Sequence, residues 1–340
     1  MDNETLVVGA GVSGLTCAGR LLEAGRRIVV LEKSRGVGGR CATRRVGDSI
    51  VDHGLAFYHG NDVGFRAALL AAGGERVVQG WPRSVRGQGA PCRPTSFRPG
   101  EWRLAFVDGV TVFPKHLRSG LDVRLNTRVS AVEAAGDHWR VVDAEGQEIT
   151  ARDLVLAVPA PQALDLLSSW GDRTRGHEAI ELLLREIGFV STLTVLALYP
   201  AGGTAPEWDM WYPEDSAILQ LISHDSSKRD RPARISLVLQ ALPAWSRRSW
   251  DARVADWSEA MLEEVGRLAG RWAAEPEEVR THRWRFARIG SGGDLAGPMM
   301  VTLAGGRRLA FVGDGFHPGG GVQAAWRAGR ELAQRILEER

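Results

Sequence analysis

The sequence predicts an α/β fold in which a discontinuous domain of alternating strands and helices carries an inserted α+β domain. Two observations indicate this arrangement. The chain opens on a strand, a glycine-rich loop and a helix within residues 5–24, and it closes on a strand and a helix within residues 309–338. Between about residues 188 and 242 the apolar segments are typical of antiparallel strands, so different material separates the two ends.

The composition is that of an ordinary globular protein, with 340 residues of which 44% are hydrophobic and 25% charged. The 43 basic and 41 acidic residues leave a formal charge of +2, which is too balanced for a protein that binds phosphate backbones. No apolar run approaches the roughly 18 residues that a membrane span requires. We therefore predict neither a nucleic acid nor a membrane as partner.

The cysteines predict a reducing compartment. The chain has three, Cys17, Cys41 and Cys92, an odd and sparse set that argues against a disulfide framework. The segment MDNETLVVGAG carries acids where a secretory signal carries bases, so we expect a cytoplasmic location. No His, Cys or acidic cluster has metal-ligand spacing, and no metal site is predicted.

A β-α-β unit is predicted at the amino-terminal end. The strand Thr5 to Val8 leads into a helix over residues 13–24, and a second strand over residues 27–31 ends at Glu32. Gly25 lies between the helix and the second strand, where it stops the helix. This order is the setting that a G-x-G-x-x-G fingerprint requires for dinucleotide binding.

The loop GAGVSGL, residues 9–15, supplies that fingerprint. Gly9 permits the tight turn, Gly11 lets the backbone approach a pyrophosphate, and Gly14 allows the helix to pack closely on the strand. Val12 and Ser13 open the helix, whose first N–H groups attract phosphate. The carboxylate of Glu32 is placed to accept hydrogen bonds from both ribose hydroxyls. The unit therefore predicts a dinucleotide site.

A second glycine cluster favours FAD over NAD as the dinucleotide. It begins at Lys33 and runs KSRGVGGR to Gly39 and Arg40, and it suits a long flavin dinucleotide, whereas an NAD domain has no need for it. The always-charged, planar guanidinium of Arg40 is suited to a phosphate. We therefore predict FAD.

The carboxyl-terminal segment FVGDGFHPGGGVQAAWRAG supplies the other expected flavin contacts. Gly313 and Asp314 follow a strand, which places a carboxylate where a ribityl hydroxyl can donate to it. Gly321, Val322 and Gln323 open the last helix. Its positive amino-terminal end would point at the N1/C2=O edge of the flavin and stabilise the reduced anion.

The remaining elements are predicted from apolar runs and turn signals. The first domain receives strands at residues 122–132, 139–142, 154–158 and 309–312, and the inserted domain receives strands at 189–199, 218–222 and 235–241. Residues 250–272 are predicted to form an amphipathic helix whose tryptophans lie in the core, because apolar residues recur there every three or four positions. Irregular or hairpin structure is expected at residues 80–101, and a polar loop at residues 223–234.

Six motifs together resemble the renalase-like branch of the FAD-dependent amine oxidase superfamily. They are GAGVSGL, LEKSRGVGGRCATRR, DHG at residues 52–54, LVLAVPAPQALDLL at 154–167, HRWRFAR at 282–288 and FVGDG. The glycine motifs are common to the whole superfamily, whereas DHG, A-x-P-A-P-Q and H-R-W-R-F-A are more particular. Their order extends over nearly the whole chain.

The resemblance implies a fold similar to p-hydroxybenzoate hydroxylase, with a Rossmann-type domain that binds FAD non-covalently and a substrate domain of antiparallel sheet plus helices. It places the FAD-binding domain at residues 1–60, 110–165 and 285–340, and the substrate domain at residues 61–109 and 166–284. It also implies cofactor contacts from the DHG segment, His53, Gly54 and Leu55, and from Val129 and Trp284.

The resemblance further implies an oxidase whose flavin N5 accepts a hydride from a small electron-rich substrate, with O2 as electron acceptor and H2O2 as product. In bacterial renalases the substrates are isomeric dihydronicotinamides. This chain departs from the family pattern at the expected pocket. Where the family tends to read DHGAQYFT, Ala56 replaces a Gln and His59 replaces a Thr, and Gln323 replaces a Glu near the carboxyl terminus. His59 and Gln323 are therefore the candidate catalytic or pocket residues.

The lysines argue against a lysine-assisted mechanism. Only Lys33, Lys115 and Lys228 are present, and Lys33 belongs to the nucleotide loop while Lys228 is expected in the polar loop. Hydride transfer from a dihydropyridine needs no base, because aromatisation drives it and the protein mainly orients two flat rings. Two alternatives remain: a flavin-dependent amine oxidase or desaturase of secondary metabolism, and a protein whose FAD is structural or non-redox.

Overall fold

In this computed structural model, the described residues are 3–87, 97–170, 175–290 and 293–339. Residues 88–96 of the predicted irregular segment 80–101, which include Cys92, lie outside the described residues. The chain divides into two compact units. The first comprises Met1–Gly39, Phe113–Phe189 and Arg288–Arg340, and the second comprises Arg40–Val112 and Val190–Ala287.

The first unit is built on an eight-stranded, mostly parallel sheet. Its strands are β1 Asn3–Val8, β2 Ile28–Leu31, β9 Asp122–Arg124, β10 Val129–Ala135, β11 His138–Asp143, β12 Glu148–Leu156, β18 Met299–Thr302 and β19 Arg308–Phe311. Its helices are α1 Val12–Glu23, α3 Val112–Leu117, α4 Ala160–Leu167, α5 Arg175–Glu186 and α8 Gly321–Glu338. The order β10-β11-β12-β1-β2-β9 places β1 in the middle, and β19 also pairs with β12.

The central strands contain runs of buried residues, as expected of strands that are covered on both faces. Residues 28–31 of β2 and 308–311 of β19 are buried without interruption. Helix α1 packs closely on α8, since a methyl group on Gly329 would lie 2.5 Å from the carbonyl oxygen of Ser13. The two glycine-rich ends of the chain therefore belong to one structural unit.

The second unit contains a six-stranded sheet, a three-stranded sheet and a two-stranded hairpin. Its strands are β3 Thr43–Val46, β4 Ser49–Asp52, β5 Tyr58–Gly60, β6 Val77–Gln79, β7 Val85–Arg86, β8 Trp102–Phe106, β13 Phe189–Tyr199, β14 Met210–Trp211, β15 Leu219–His224, β16 Ile235–Ala241 and β17 Glu278–Ile289. The six-stranded sheet has the order β17-β13-β16-β15-β14-β7, the three-stranded sheet has the order β5-β8-β6, and β3 and β4 form the hairpin. Its helices are α2 Val63–Gly73, α6 Pro243–Arg248 and α7 Val254–Ala269.

The expectation of a single helix over residues 250–272 is wrong at both ends. Helix α7 begins at Val254, because Trp250 lies in the turn that follows α6. It ends before Gly270, whose φ of +101° breaks the helix, and Trp272 belongs to a short 3-10 turn. Trp257 is buried in the core, and Trp250 and Trp272 pack half-buried against the same core.

Two further expectations are corrected. The strand expected at residues 122–132 is two strands, β9 and β10, because Asn126 adopts a φ of +55° in the turn between them. The polar loop expected at residues 223–234 is not solvated throughout. Strand β15 continues to His224, and the 3-10 turn Asp225–Lys228 that follows has buried side chains at Asp225, Ser226 and Lys228.

Candidate FAD site and the DHG segment

In the first glycine loop, the surrounding atoms leave no room for a side chain at two of the glycines, whereas the third has open space beside it. A methyl group on Gly9 would lie 2.7 Å from the carbonyl oxygen of Ala157. On Gly14 it would overlap the carbonyl oxygen of Gly9 and lie 2.9 Å from the Cβ of Ala157. On Gly11 it would meet no described atom within 4 Å. On this open side of Gly11 a ligand's pyrophosphate can therefore approach the backbone of the loop.

The start of α1 and the second glycine cluster meet at Gly11. Gly11 forms an isolated bridge with Gly38, whose N–H donates to the carbonyl oxygen of Ala10 at 2.8 Å. A methyl group on Gly39 would lie 3.8 Å from the Cα of Gly11. No described side chain caps the start of α1, where Val12 and Ser13 are buried. The two glycine clusters that the sequence separates by more than twenty residues thus form one cradle.

Glu32 is fixed by the backbone of both loops. Its Oε2 accepts from the N–H of Ala10 at 2.9 Å, and its Oε1 accepts from the N–H of Ser34 at 2.8 Å. The side chain is buried, whereas the neighbouring Lys33 is exposed. Each carboxylate oxygen keeps a further lone pair that can accept from a hydroxyl group. The position therefore fits a ribose.

The carboxyl-terminal loop lies in the same unit. Asp314 is buried in the 3-10 turn Asp314–Phe316, directly after Gly313. Gly319, Gly320 and Gly321 have φ values of +86°, +59° and +78°, which side-chain-bearing residues rarely adopt, and they lead into α8. Val322 and Gln323 in the first turn are half-buried, and Val129 at the start of β10 is buried. The open face of Gly11, the fixed carboxylate of Glu32 and this loop fit a dinucleotide.

The DHG segment lies in the second unit and carries a buried histidine with an unused nitrogen. His53 is 6% exposed, and its Nδ1 has no hydrogen-bond partner in the structure. The imidazole lies 5.2 Å from the ring of His282 and 5.5 Å from the ring of Trp284. Burial, together with the nearby His282 and Arg44, lowers the pKa of His53 to about 3, although Asp52 and the backbone of Ala42 act in the opposite direction. The imidazole is therefore neutral at physiological pH.

Gly54 is required by the packing around it. A methyl group there would overlap the carbonyl oxygen of Arg40 and lie 3.1 Å from the ring of Trp284. The same carbonyl of Arg40 accepts from the N–H of Leu55 at 3.0 Å, and the indole N–H of Trp284 donates to the carbonyl of His53 at 3.0 Å. The predicted residues Arg40 and Trp284 therefore both contact the backbone of residues 53–55.

The two candidate pocket residues, Gln323 and His59, belong to different units. Gln323 belongs to the first unit, and His59 lies on β5 in the second. The Nδ1 of His59 is 3.9 Å from the Oε2 of Glu101 and has no hydrogen-bond partner. Burial lowers the pKa of His59 to about 4, and Arg103 lowers it further. His59 is therefore neutral, and it is a weak base at physiological pH.

The structure corrects the interpretation of Lys228. Its side chain is 0% exposed, and its Nζ lies 2.8 Å from Oδ2 of Asp52 and 2.8 Å from Oδ1 of Asp225. Arg229 bridges the same two carboxylates at 2.9 and 2.8 Å. These four residues, Asp52, Asp225, Lys228 and Arg229, are called the ion quartet below. Although burial acts in the opposite direction, the positive charges of the quartet lower the pKa of Asp52 to about 2.

No local sequence signal marks the ion quartet, because the polar segment SSKRDR at residues 226–231 is typical of a solvent-exposed turn. One clue is the aspartate of DHG, because a carboxylate at the end of a buried strand needs a cationic partner. The sequence also gives no indication of Gln240 on β16, whose side-chain amide donates to the carbonyl of Gly54 at 2.9 Å.

Comparison with known protein families decides the identity of this fold. The family described as flavin containing amine oxidoreductase matches residues 92–337, and that described as NAD(P)-binding Rossmann-like domain matches residues 7–70. The chain belongs to the flavin containing amine oxidoreductase family. This assignment confirms the predictions of a Rossmann-type fold, of FAD as cofactor and of an FAD-dependent oxidoreductase.

Individual relatives agree with the family. Renalase from Mus musculus is 23% identical over 337 residues, which cover 92% of this chain and 93% of that protein, and it supports a renalase-like member of the superfamily. Among solved structures, cyclohexylamine oxidase from Brevibacterium oxydans IH-35A has a TM-score of 0.73 at 14% identity and covers 100% of this chain and 99% of its own. Putrescine oxidase bound to putrescine has a TM-score of 0.70 at 16% identity, with 99% of each chain covered. These structures show the fold alone.

No helix in the described ranges combines the length and the apolar character that crossing a bilayer would require.

Proposed function

We propose that this protein is an FAD-dependent oxidase whose flavin accepts a hydride from a small planar substrate, of which an isomeric dihydronicotinamide is the chemical class. The similarity to a renalase over most of the chain supports this proposal. The observation that carries it is the neutral, buried imidazole of His53, whose Nδ1 is unpartnered beside the rings of His282 and Trp284. Such a group can orient the flat, uncharged ring system of a flavin by one hydrogen bond and by stacking.

The charged groups near the DHG segment support a mechanism without a lysine. The Nζ of Lys228 donates to the carbonyl oxygen of Ala56 at 2.6 Å and lies 2.8 Å from Oδ2 of Asp52 and 2.8 Å from Oδ1 of Asp225. The side chain of Lys228 is fully buried among these groups, so we infer that it serves structure and not proton transfer to a substrate. A substrate that becomes aromatic as it loses a hydride needs no proton acceptor for that step.

The bound FAD would supply the two-electron chemistry, taking a hydride at N5 and passing the electrons to O2 with release of H2O2. We propose that Gly11 and the start of α1 contact the pyrophosphate and that Glu32 accepts from the ribose. Asp314 would accept from the ribityl chain. His53 and Trp284 would contact the flavin ring.

We also propose that the first unit contains most of the FAD-binding domain expected at residues 1–60, 110–165 and 285–340. The second unit would then contain most of the substrate domain expected at residues 61–109 and 166–284. His59 and Gln323 are proposed as pocket residues, since they are where this chain departs from the family pattern. The cytoplasmic location expected from the cysteines stays a prediction.

Anaerobic reduction of the bound flavin tests the proposed function. Mixing the FAD-loaded protein with isomeric dihydronicotinamides should bleach the visible absorption of oxidised flavin, and admitting O2 should restore it with formation of H2O2. Bleaching by amines alone would replace the proposal with an amine oxidase, and no bleaching by either class would indicate a flavin without redox turnover. The variant H59Q, run in parallel, should raise the substrate concentration for half-maximal reduction without releasing FAD.

A further inference from the structure

The backbone of the DHG segment is held by side chains that the proposed reaction does not use. We propose that Lys228 and Gln240 are positioning residues, which hold residues 53–56 in place and so fix the orientation of the His53 imidazole. This inference rests on the proposed contact between His53 and the flavin.

Three carbonyl groups of this short segment each accept a hydrogen bond from a side chain of a different element. The donors are Trp284 Nε1 to the carbonyl of His53 at 3.0 Å, Gln240 Nε2 to that of Gly54 at 2.9 Å, and Lys228 Nζ to that of Ala56 at 2.6 Å. These donors come from β17, from β16 and from the 3-10 turn after β15. The segment therefore has little freedom to rotate its peptide groups.

The amide groups are held as well. The N–H of His53 donates to the carbonyl of Ala42 at 3.0 Å, and that of Leu55 donates to the carbonyl of Arg40 at 3.0 Å. His53 thus has both of its backbone polar groups bonded, while the Nδ1 of its side chain has no partner. A rigid backbone that carries an unpartnered buried ring nitrogen is suited to presenting that ring to a ligand.

Lys228 ties the two ends of the segment together. One ammonium group contacts the carboxylate of Asp52, which precedes His53, and the carbonyl of Ala56, which follows Leu55. The ring of Trp81 lies 4.6 Å from the same ammonium and restricts it further. The distance between the two ends of the turn is therefore set by a single buried group.

Stability alone does not account for this arrangement. The ion quartet has two negative and two positive groups, all nearly or fully buried, and such clusters are often no more stabilising than apolar side chains of similar volume. Their hydrogen bonds do specify one geometry. In this chain the geometry that they specify is that of the residues around His53.

The test uses FAD-loaded protein and two positioning variants. Q240M removes the donor to Gly54 without adding a buried charge. The double variant K228M/D225N removes the donor to Ala56 and one carboxylate charge together, so the remaining Asp52 and Arg229 stay balanced. The matched control is Y199F, which removes a buried side-chain bond to the carbonyl of Ala273, 2.7 Å long, elsewhere in the same unit.

The first readout is hydrogen exchange in the peptide that spans residues 52–58. Loss of one net hydrogen bond should speed exchange there by about fivefold or more in both positioning variants. The second readout is the flavin itself, through the shape of its visible spectrum and its midpoint potential in a dithionite titration. Both should shift in the positioning variants, and neither should shift in Y199F.

Each outcome decides the proposal. Faster exchange with a shifted flavin spectrum or potential supports it, whereas faster exchange with an unchanged flavin shows a structural role only and overturns it. Unchanged exchange also overturns it. Because dithionite replaces the substrate, these readouts remain decisive even if no dihydronicotinamide reduces the protein, so a failure of the proposed function is detected separately.

Discussion

Substitution of Gly11 by alanine should separate ligand binding from folding at the glycine loop. A methyl group on Gly11 meets no described atom within 4 Å, and the backbone there is extended, with φ −74° and ψ 176°, which alanine adopts without strain. Alanine is a poorer helix N-cap than glycine, but it also restricts the unfolded chain. These opposing effects of up to about 1 kcal/mol each leave the stability of the cofactor-free protein nearly unchanged.

FAD binding should respond differently to G11A. The methyl group would occupy the open side on which the pyrophosphate is proposed to lie, and we expect affinity to fall by about 100-fold, or about 2.8 kcal/mol. At a free FAD concentration of about 100 times the wild-type Kd, binding stabilises the wild type by about 2.7 kcal/mol. After a 100-fold loss of affinity the same concentration contributes only about 0.4 kcal/mol.

The assay is an FAD titration followed by flavin fluorescence, together with unfolding with and without FAD. The matched control is G19A on the same helix, where a methyl group also meets no neighbour within 4 Å, and it should bind FAD as the wild type does. Wild-type affinity in G11A would refute the proposed path of the pyrophosphate. A large loss of stability in the cofactor-free G11A protein would show instead that Gly11 is needed for packing.

Three further predictions follow from packing and burial. G14A should lower the free energy of unfolding by about 1–3 kcal/mol even without FAD, because the new methyl group lies 2.9 Å from Ala157 Cβ; wild-type stability in denaturant titration would contradict this. R308M should lower the free energy of unfolding by about 3–5 kcal/mol, because it leaves the buried carboxylate of Asp153 without its cationic partner. The control R267A removes an exposed guanidinium and should change stability little. Equal effects of the two variants in thermal unfolding would argue against burial as the cause. The folded-state pKa of His53 lies below its unfolded value, so between these two pH values the unfolded state binds more protons, and the free energy of unfolding falls as pH decreases from about 6.5 towards 3. H53Q should therefore reduce the slope of the free energy of unfolding against pH, between about pH 4 and 6, by roughly 1 kcal/mol per pH unit. An unchanged slope would show that His53 is not the group responsible.

The fold of the first unit was predictable because its determinants are local. The glycine loop, Glu32 and the glycines before α8 are each recognised from a few adjacent residues and from the strand or helix beside them. A tight turn or a helix start depends mainly on its own residues, so a short motif suffices. Most strand ends lie within one or two residues of the predicted ones, but β12 begins at Glu148 and not at residue 154, and α7 is shorter than predicted at both ends. A helix end depends on backbone conformation at single positions, which apolar periodicity does not report.

By itself, the sequence determined the Rossmann-type fold, the FAD cofactor and the family of this protein, since all three follow from motifs whose order extends along the chain. Only the tertiary structure decided the environment of Lys228, which meets the carbonyl of Ala56 across 172 positions of sequence. The same holds for the contact of Gln240 with Gly54 and for the burial of His53. Burial and charge pairing are set by which distant segments fold together, and a polar run such as SSKRDR has the same letters whether it is solvated or enclosed.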